Sequence, residues 1–188
     1  MHIFLDVMGG DNAPGANVEG AVEALRKHSG LHMTLAGDVA QINPLLSDAA
    51  DLQSRITVLS TEDEITNHDA PVMAVRRKVN SAIVQGMLAV KEGRADAFVS
   101  AGSTGAVLAG GMFRLGRIEG IERPALAPLL PNGRGHFLLI DCGANVDCKA
   151  DWLVQFGVMG SAYMKGVMGI DKPRVGDRKS TRLNSSHT

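Results

Sequence analysis

Three short stretches concentrate the residues suited to chemistry, and each follows an apolar run. Val99-Ser100-Ala101-Gly102-Ser103-Thr104-Gly105-Ala106 sets glycines and hydroxyls between a strand-like and a helix-like segment. Backbone N–H groups and the positive end of the helix dipole would then face one spot, and glycine lets an anion approach closely. The lysine of a Walker A loop is missing, so a single phosphate or carboxylate fits better than a nucleoside triphosphate. A plain capped helix start has the same pattern. Asp6-Val7-Met8-Gly9-Gly10-Asp11-Asn12-Ala13-Pro14 combines a strand-end acid, two glycines, a second acid and a proline. It falls at the carboxyl edge, where open α/β sheets bind ligands. It is not GxGxxG, so nothing points to a dinucleotide; the alternative is a strained turn in which Asp11 or Asn12 caps the next helix. Asp141-Cys142-Gly143-Ala144-Asn145-Val146-Asp147-Cys148 again closes a strand with an acid, a glycine and an amide. Asn145 suits orienting a substrate oxygen, and Asp141 suits accepting a hydrogen bond or holding a cation. One carboxylate falls short of a Mg²⁺ site, and Cys142 has no identifiable histidine partner as a nucleophile. The turns near Gly9 and Gly143 are expected to surround the loop at Gly102.

Arg76-Arg77-Lys78 sit in a helical stretch. Adjacent residues of a helix point about 100° apart, so the three cannot all face one ligand. They read as a solvated face, with one of them able to reach an anion. His32, His68 and His136 are isolated and read as surface or loop residues.

Positioning these loops requires a strand before each and a helix after it. Residues 2–7 read as a first strand, and a helix follows with Val18, Ala21, Val22 and Leu25 on one face, ending near Ser29-Gly30. Residues 32–36 read as a second strand, then a short helix with Ile42, Leu45 and Leu46, then a third strand at 55–60. Residues 61–69 are polar and read as a loop. Residues 70–92 read as helix in two pieces, with Val72, Val75 and Val79 on one face and Ile83, Met87 and Val90 on another. Residues 94–98 read as a short buried fourth strand. Residues 124–130 are a fifth candidate, which Pro128 confines to an edge or cuts short. Residues 137–141 are the clearest strand of all, and 152–168 a final helix. This alternation predicts an α/β fold of three layers, αβα, around a mainly parallel, doubly wound sheet.

The chain has 188 residues, 45% hydrophobic, with a formal charge of −1, enough for one domain and without general attraction for nucleic acid. Twenty-two glycines against five Phe, one Tyr and one Trp suit many tight strand-to-helix turns. No apolar run reaches membrane-spanning length, and no signal peptide is expected. Cys142 and Cys148 do not form a CxxC or zinc-ribbon pattern and read as reduced structural thiols. Residues 177–188 are polar, basic and aperiodic; they resemble adapter read-through and are expected to be a non-native tail.

Together with 90–97, 120–125 and 155–160, the three loops resemble the bacterial phosphate acyltransferases of the PlsX type, in order and spacing from Met1 to about Gly176. The resemblance implies an N-terminal fragment, about half of a family member, expected to be inactive alone. It implies transfer of a long acyl chain from acyl carrier protein to inorganic phosphate, giving acyl phosphate for phospholipid synthesis. It further implies a fold similar to isocitrate and isopropylmalate dehydrogenases and to phosphotransacetylase. A homodimer in the cytoplasm, peripheral at the inner membrane face in the full-length protein, belongs to the same implication; no metal, cofactor or nucleic acid is expected. Carried onto this chain, Gly102, Ser103, Thr104 and Gly105 would hold phosphate, with Asp11 and Asn12 lining the pocket. Asp141 and Asn145 would act in catalysis, with Lys78 as a helper. Family members usually carry asparagine where Ser103 stands. Two other readings remain: a metal- and NAD-dependent hydroxy-acid dehydrogenase-like enzyme, for which only scattered acids are present, and a non-catalytic truncated binding fragment.

Overall fold

Alternation decides the first strand. Ile3 and Leu5 point to one side of β1 (His2–Asp6) and Phe4 to the other, and both sides are apolar, as a strand covered on both faces requires. The computed structural model describes residues 1–145 and 147–177. Val146 and the greater part of the expected non-native tail, 178–188, lie outside the described residues. The chain divides into two compact units, Met1–Gly120 and a second beginning at Ile121.

In the first unit β1 is followed by α1 (Gly15–Lys27), β2 (His32–Gly37), α2 (Val39–Leu45), a 3₁₀ turn (Ala50–Arg55) and β3 (Ile56–Ser60). Then come α3 (Pro71–Arg77), α4 (Ala82–Lys91), β4 (Ala97–Ser100) and α5 (Thr104–Gly110), which runs into a π-helical turn at Gly111–Leu115. The four strands are parallel in the order β3-β2-β1-β4. Val18, Leu25, Ile42 and Leu52 pack with Met33 and Leu35 on one face, while Phe4, Ala36, Ala82 and Ala89 pack on the other. Each large side chain buried in this way contributes about 1.5–3 kcal/mol relative to exposure. Arg55 adds a polar tie that the sequence pattern did not announce. Its Nη1 donates to the carbonyl oxygens of Leu25 (2.8 Å) and His28 (3.0 Å), satisfying the end of α1.

Three expectations for this unit change. The helical stretch at 70–92 does break in two, at Lys78–Ser81, but Val72 and Val79 are exposed and only Val75 of that trio is buried. The fourth strand starts at Ala97, because the amides of Arg94 and Ala95 turn back to the Ala89 carbonyl (2.8 and 3.1 Å) and close α4. It is also less covered than a buried strand, with Val99 exposed.

In the second unit β5 (Leu129–Pro131) and β6 (His136–Leu138) form an antiparallel pair, and α6 spans Ala150–Gly166. The expected fifth and sixth strands thus shrink to three residues each and pair antiparallel as a hairpin. The cause is Asn132-Gly133-Arg134-Gly135, a turn with Gly133 at φ +78° in which Asn132 N–H donates to the Gly135 carbonyl (3.1 Å). Phe156, Gly160 and Met164 form the buried stripe of α6.

Candidate functional site

The loops after β1 and β4 lie against each other because those strands are neighbours, with Asp6 level with Ser100. Contact is backbone to backbone. A Cβ on Gly9 would stand 2.6 Å from the Gly102 nitrogen and 2.8 Å from its Cα, so position 9 admits glycine alone. Gly10, at φ +98°, faces Ala101. Beneath both loops sits Asp6, only 4% exposed. Its Oδ2 accepts from Ser100 Oγ (2.8 Å) and its Oδ1 from Met8 N–H (3.1 Å). Ser100 Oγ in turn accepts from Gly102 N–H (3.0 Å). Burial raises the Asp6 carboxyl above its ordinary value, and the hydrogen bonds from Ser100, Met8 and Gly9 act against that shift. Asn17 holds the first loop from α1, its Nδ2 donating to the carbonyls of Val7 (2.9 Å) and Gly9 (2.7 Å).

The residues chosen from sequence fall in different places. Ser103 is the N-cap of α5: it is buried, and its Oγ accepts from Ala106 N–H (3.4 Å). Thr104 opens the helix and is exposed, and the amides of Thr104 and Gly105 have no intrahelical acceptor, while that of Ala106 is taken by the cap. Gly105 leaves room for the Pro71 ring, whose Cγ would be 2.9 Å from a Cβ there. Gly102 spends its N–H on Ser100 Oγ and has none left to donate to a ligand. Asp11 and Asn12 are exposed, and neither side chain caps α1, whose N-cap is Pro14. Lys78 is occupied elsewhere: Nζ pairs with Asp69 Oδ2 (2.8 Å) and donates to the Glu64 carbonyl (2.7 Å), pinning the 64–69 loop. The Lys78 hydrogen bond, first among the causes, lowers the Asp69 carboxyl to about 2.

In the second unit Asp141 Oδ1 accepts from Leu126 N–H (2.7 Å) and Oδ2 from Asn145 N–H (2.8 Å). Asn145 Nδ2 donates to the Pro124 carbonyl (3.1 Å). Asp141 and Asn145 therefore meet, as a clasp that closes their own loop. Cys142 and Cys148 are both free and exposed.

Of two side chains central to the first unit's site, the sequence pattern marks Asp6 only as the strand-end acid of its loop, without a role, and does not mark Asn17 at all. Asp6 carried a signal, being the last residue of an apolar strand before two glycines. A cavity of about 320 Å³ adjoins this carboxylate on the β2–β3 side, lined among others by Asp38, Glu62, Asp63 and Glu64. Its carboxylates make this cavity a poor place for a phosphate.

The model of the family described as fatty acid synthesis protein matches residues 1–180. The chain belongs to that family. Among its relatives, a phosphate acyltransferase of Clostridium acetobutylicum is 47% identical over 176 residues, covering 94% of this chain and 53% of the relative. A phosphate acyltransferase of Bacillus cytotoxicus is 50% identical over 177 residues, covering 94% and 52%. This family member thus spans about half the length of the curated relatives it matches. Its fold is similar to a phosphotransacetylase from Streptococcus pyogenes, with a TM-score of 0.67 at 21% identity over 91% of this chain and 55% of that one. The EutD phosphotransacetylase from Staphylococcus aureus gives 0.63 at 21%, over 91% and 54%.

Proposed function

We propose that this chain is the N-terminal half of a phosphate acyltransferase that moves a long acyl chain from acyl carrier protein to inorganic phosphate. The observation that carries the reading is the 47–50% identity to phosphate acyltransferases along 94% of the chain. The joined glycine loops at the carboxyl edge of the sheet supply the chemistry. Phosphate rests on the amides of Thr104 and Gly105 and the Thr104 hydroxyl, approached closely at Gly102, with Asp11 and Asn12 at the rim. A phosphate oxygen held about 3–3.5 Å from the thioester carbonyl carbon is in attacking range. The new O–C bond forms, the tetrahedral oxyanion collapses, and the C–S bond breaks with its electron pair leaving on sulfur. A thiolate leaves readily, so positioning and donors to the oxyanion supply most of the effect. Lys78 acts in this reading through the 64–69 loop it holds, while Asp141 and Asn145 keep the shape of their own loop.

The wider reading carries the same standing: an isocitrate dehydrogenase-like fold in the complete protein, a homodimer, a cytoplasmic location with contact at the membrane surface, and an inactive 188-residue chain. The hydroxy-acid dehydrogenase alternative gains no support from the relatives. Thiol release from acyl-acyl carrier protein, followed with and without phosphate, tests the proposal. A chain continued to the relatives' length is expected to show phosphate-dependent release, and the 188-residue chain none. Release that ignores phosphate in the long chain would sink the reading.

A further inference from the structure

The two joined loops carry negative charge and no positive side chain. Residues 6–14 and 99–106 contain no lysine, arginine or histidine, and their two acids are Asp6 and Asp11. Asp6 is buried, so its charge is poorly screened and repels a bare dianion placed at the loops. An oxyanion that brings its own O–H can offset that repulsion, provided the loops hold an acceptor for it.

Ser100 is that acceptor. A serine hydroxyl has one hydrogen to donate and two lone pairs to accept with. Its hydrogen goes to Asp6 Oδ2 (2.8 Å), and one lone pair takes the Gly102 N–H (3.0 Å). One lone pair is left, on a half-buried residue at the carboxyl end of β4. Asp6 fixes how the hydroxyl turns, because Met8 N–H holds the other carboxylate oxygen (3.1 Å). With its hydrogen pinned on Asp6, Ser100 Oγ can receive a further hydrogen but can give none. Hydrogen bonds in such a chain polarise one another, so a donor to Oγ strengthens the bond from Ser100 to Asp6.

We infer that Ser100, oriented by Asp6, selects an oxyanion that bears a proton, hydrogen phosphate, over one that bears none, sulfate. The inference rests on the reading of these loops as the phosphate site, and it names what makes that site specific. Slightly above neutral pH both ions are tetrahedral dianions, but only phosphate has an O–H to donate. Hydrogen phosphate completes a chain from its own hydroxyl through Ser100 Oγ to the Asp6 carboxylate. Sulfate sets an oxygen against the Ser100 lone pair and has nothing to give it. Ser100 touches the substrate in this arrangement, and Asp6 is a positioning residue that acts through it.

Anion competition tests this on the chain continued to the relatives' length, with thiol release from acyl-acyl carrier protein as the readout. Arsenate, which has the shape, charge and O–H of phosphate, is expected to support release at a half-maximal concentration within about tenfold of phosphate's. Sulfate is expected to inhibit at least about 100-fold more weakly than phosphate binds. Ser100→Ala removes the acceptor and frees the Gly102 N–H. It is expected to raise the half-maximal phosphate concentration at least about tenfold, to tighten inhibition by sulfate, and to leave the maximal rate within about threefold. Ser100→Thr keeps the hydroxyl and is expected to keep the preference. Asp6→Asn keeps the shape but lets the hydroxyl turn, and is expected to narrow the preference as Ser100→Ala does. Sulfate that competes as well as arsenate in the unsubstituted enzyme overturns the inference alone, and this comparison needs no variant to fold. Equal weakening of phosphate and sulfate in Ser100→Ala, the mark of a merely structural role, overturns it too. Release that ignores phosphate overturns the proposed reaction and this inference with it.

Discussion

Asp6 and Asp141 occupy equivalent places in the sequence, each closing an apolar run before a glycine loop, and the structure uses them differently. Asp6 is buried beneath two loops and joins them through Ser100 and Met8. Asp141 is a partly buried clasp within one loop, spent on Leu126 and Asn145. Around Gly9 a Cβ meets backbone at 2.6 Å, whereas a Cβ on Gly143 would meet nothing within 4 Å. The first loop is fixed by close approach to a segment distant in sequence, at Gly102, and the second by local hydrogen bonds. A strand-end acid followed by glycine is therefore not one motif. Which strand pairs beside it decides whether the loop becomes half of a cradle.

Breaking each acid gives the largest contrast. Asp6→Ala strips a buried acceptor from Ser100 and Met8 and is expected to cost about 3 kcal/mol, against about 1 kcal/mol for Asp141→Ala, read from urea unfolding. The glycines come next. Gly9→Ala forces the two loops apart, at about 2 kcal/mol. Gly143→Ala meets open space and carries only the strain of its φ of +104°, about 1 kcal/mol. Ser103→Ala removes the cap of α5 and is expected to cost about 1 kcal/mol. Equal losses for the paired substitutions would erase the contrast between the loops.

Acid titration sharpens the picture with opposite signs. Asp69 is lowered to about 2, so the stability it contributes is full above its ordinary 3.8 and is lost as pH falls toward 2. Asp69→Asn should flatten that acid limb of a stability-versus-pH curve. Asp6 is raised, so its contribution is full below 3.8 and is lost as pH climbs through its native value. Asp6→Asn should therefore remove a decline with rising pH.

The parallel sheet was legible because each strand is apolar at period two or on both faces, and the helices between them carry a periodic stripe. The loop pairing at Gly9 and Gly102 was legible only in part. The glycines and the helix start stood out, but strand order, which sets Asp6 beside Ser100, is a long-range property. The hairpin at β5–β6 was missed although Asn132-Gly133 is a hairpin signal, because the apolar run at 137–141 outweighed it. Lys78 illustrates the other limit: a cation on a helix says nothing of its partner until the 64–69 loop is folded beneath it.

The proposed reaction turns on phosphate being held by the loop that opens α5. The most direct measurement is the phosphate concentration giving half-maximal thiol release by the full-length enzyme carrying Thr104→Val. That exposed hydroxyl can be removed with little effect on stability, and losing one hydrogen bond to an anion of this kind costs about 1.5–3 kcal/mol. That concentration is expected to rise at least about tenfold, with the dependence on acyl-acyl carrier protein unchanged. An unchanged phosphate dependence would contradict it.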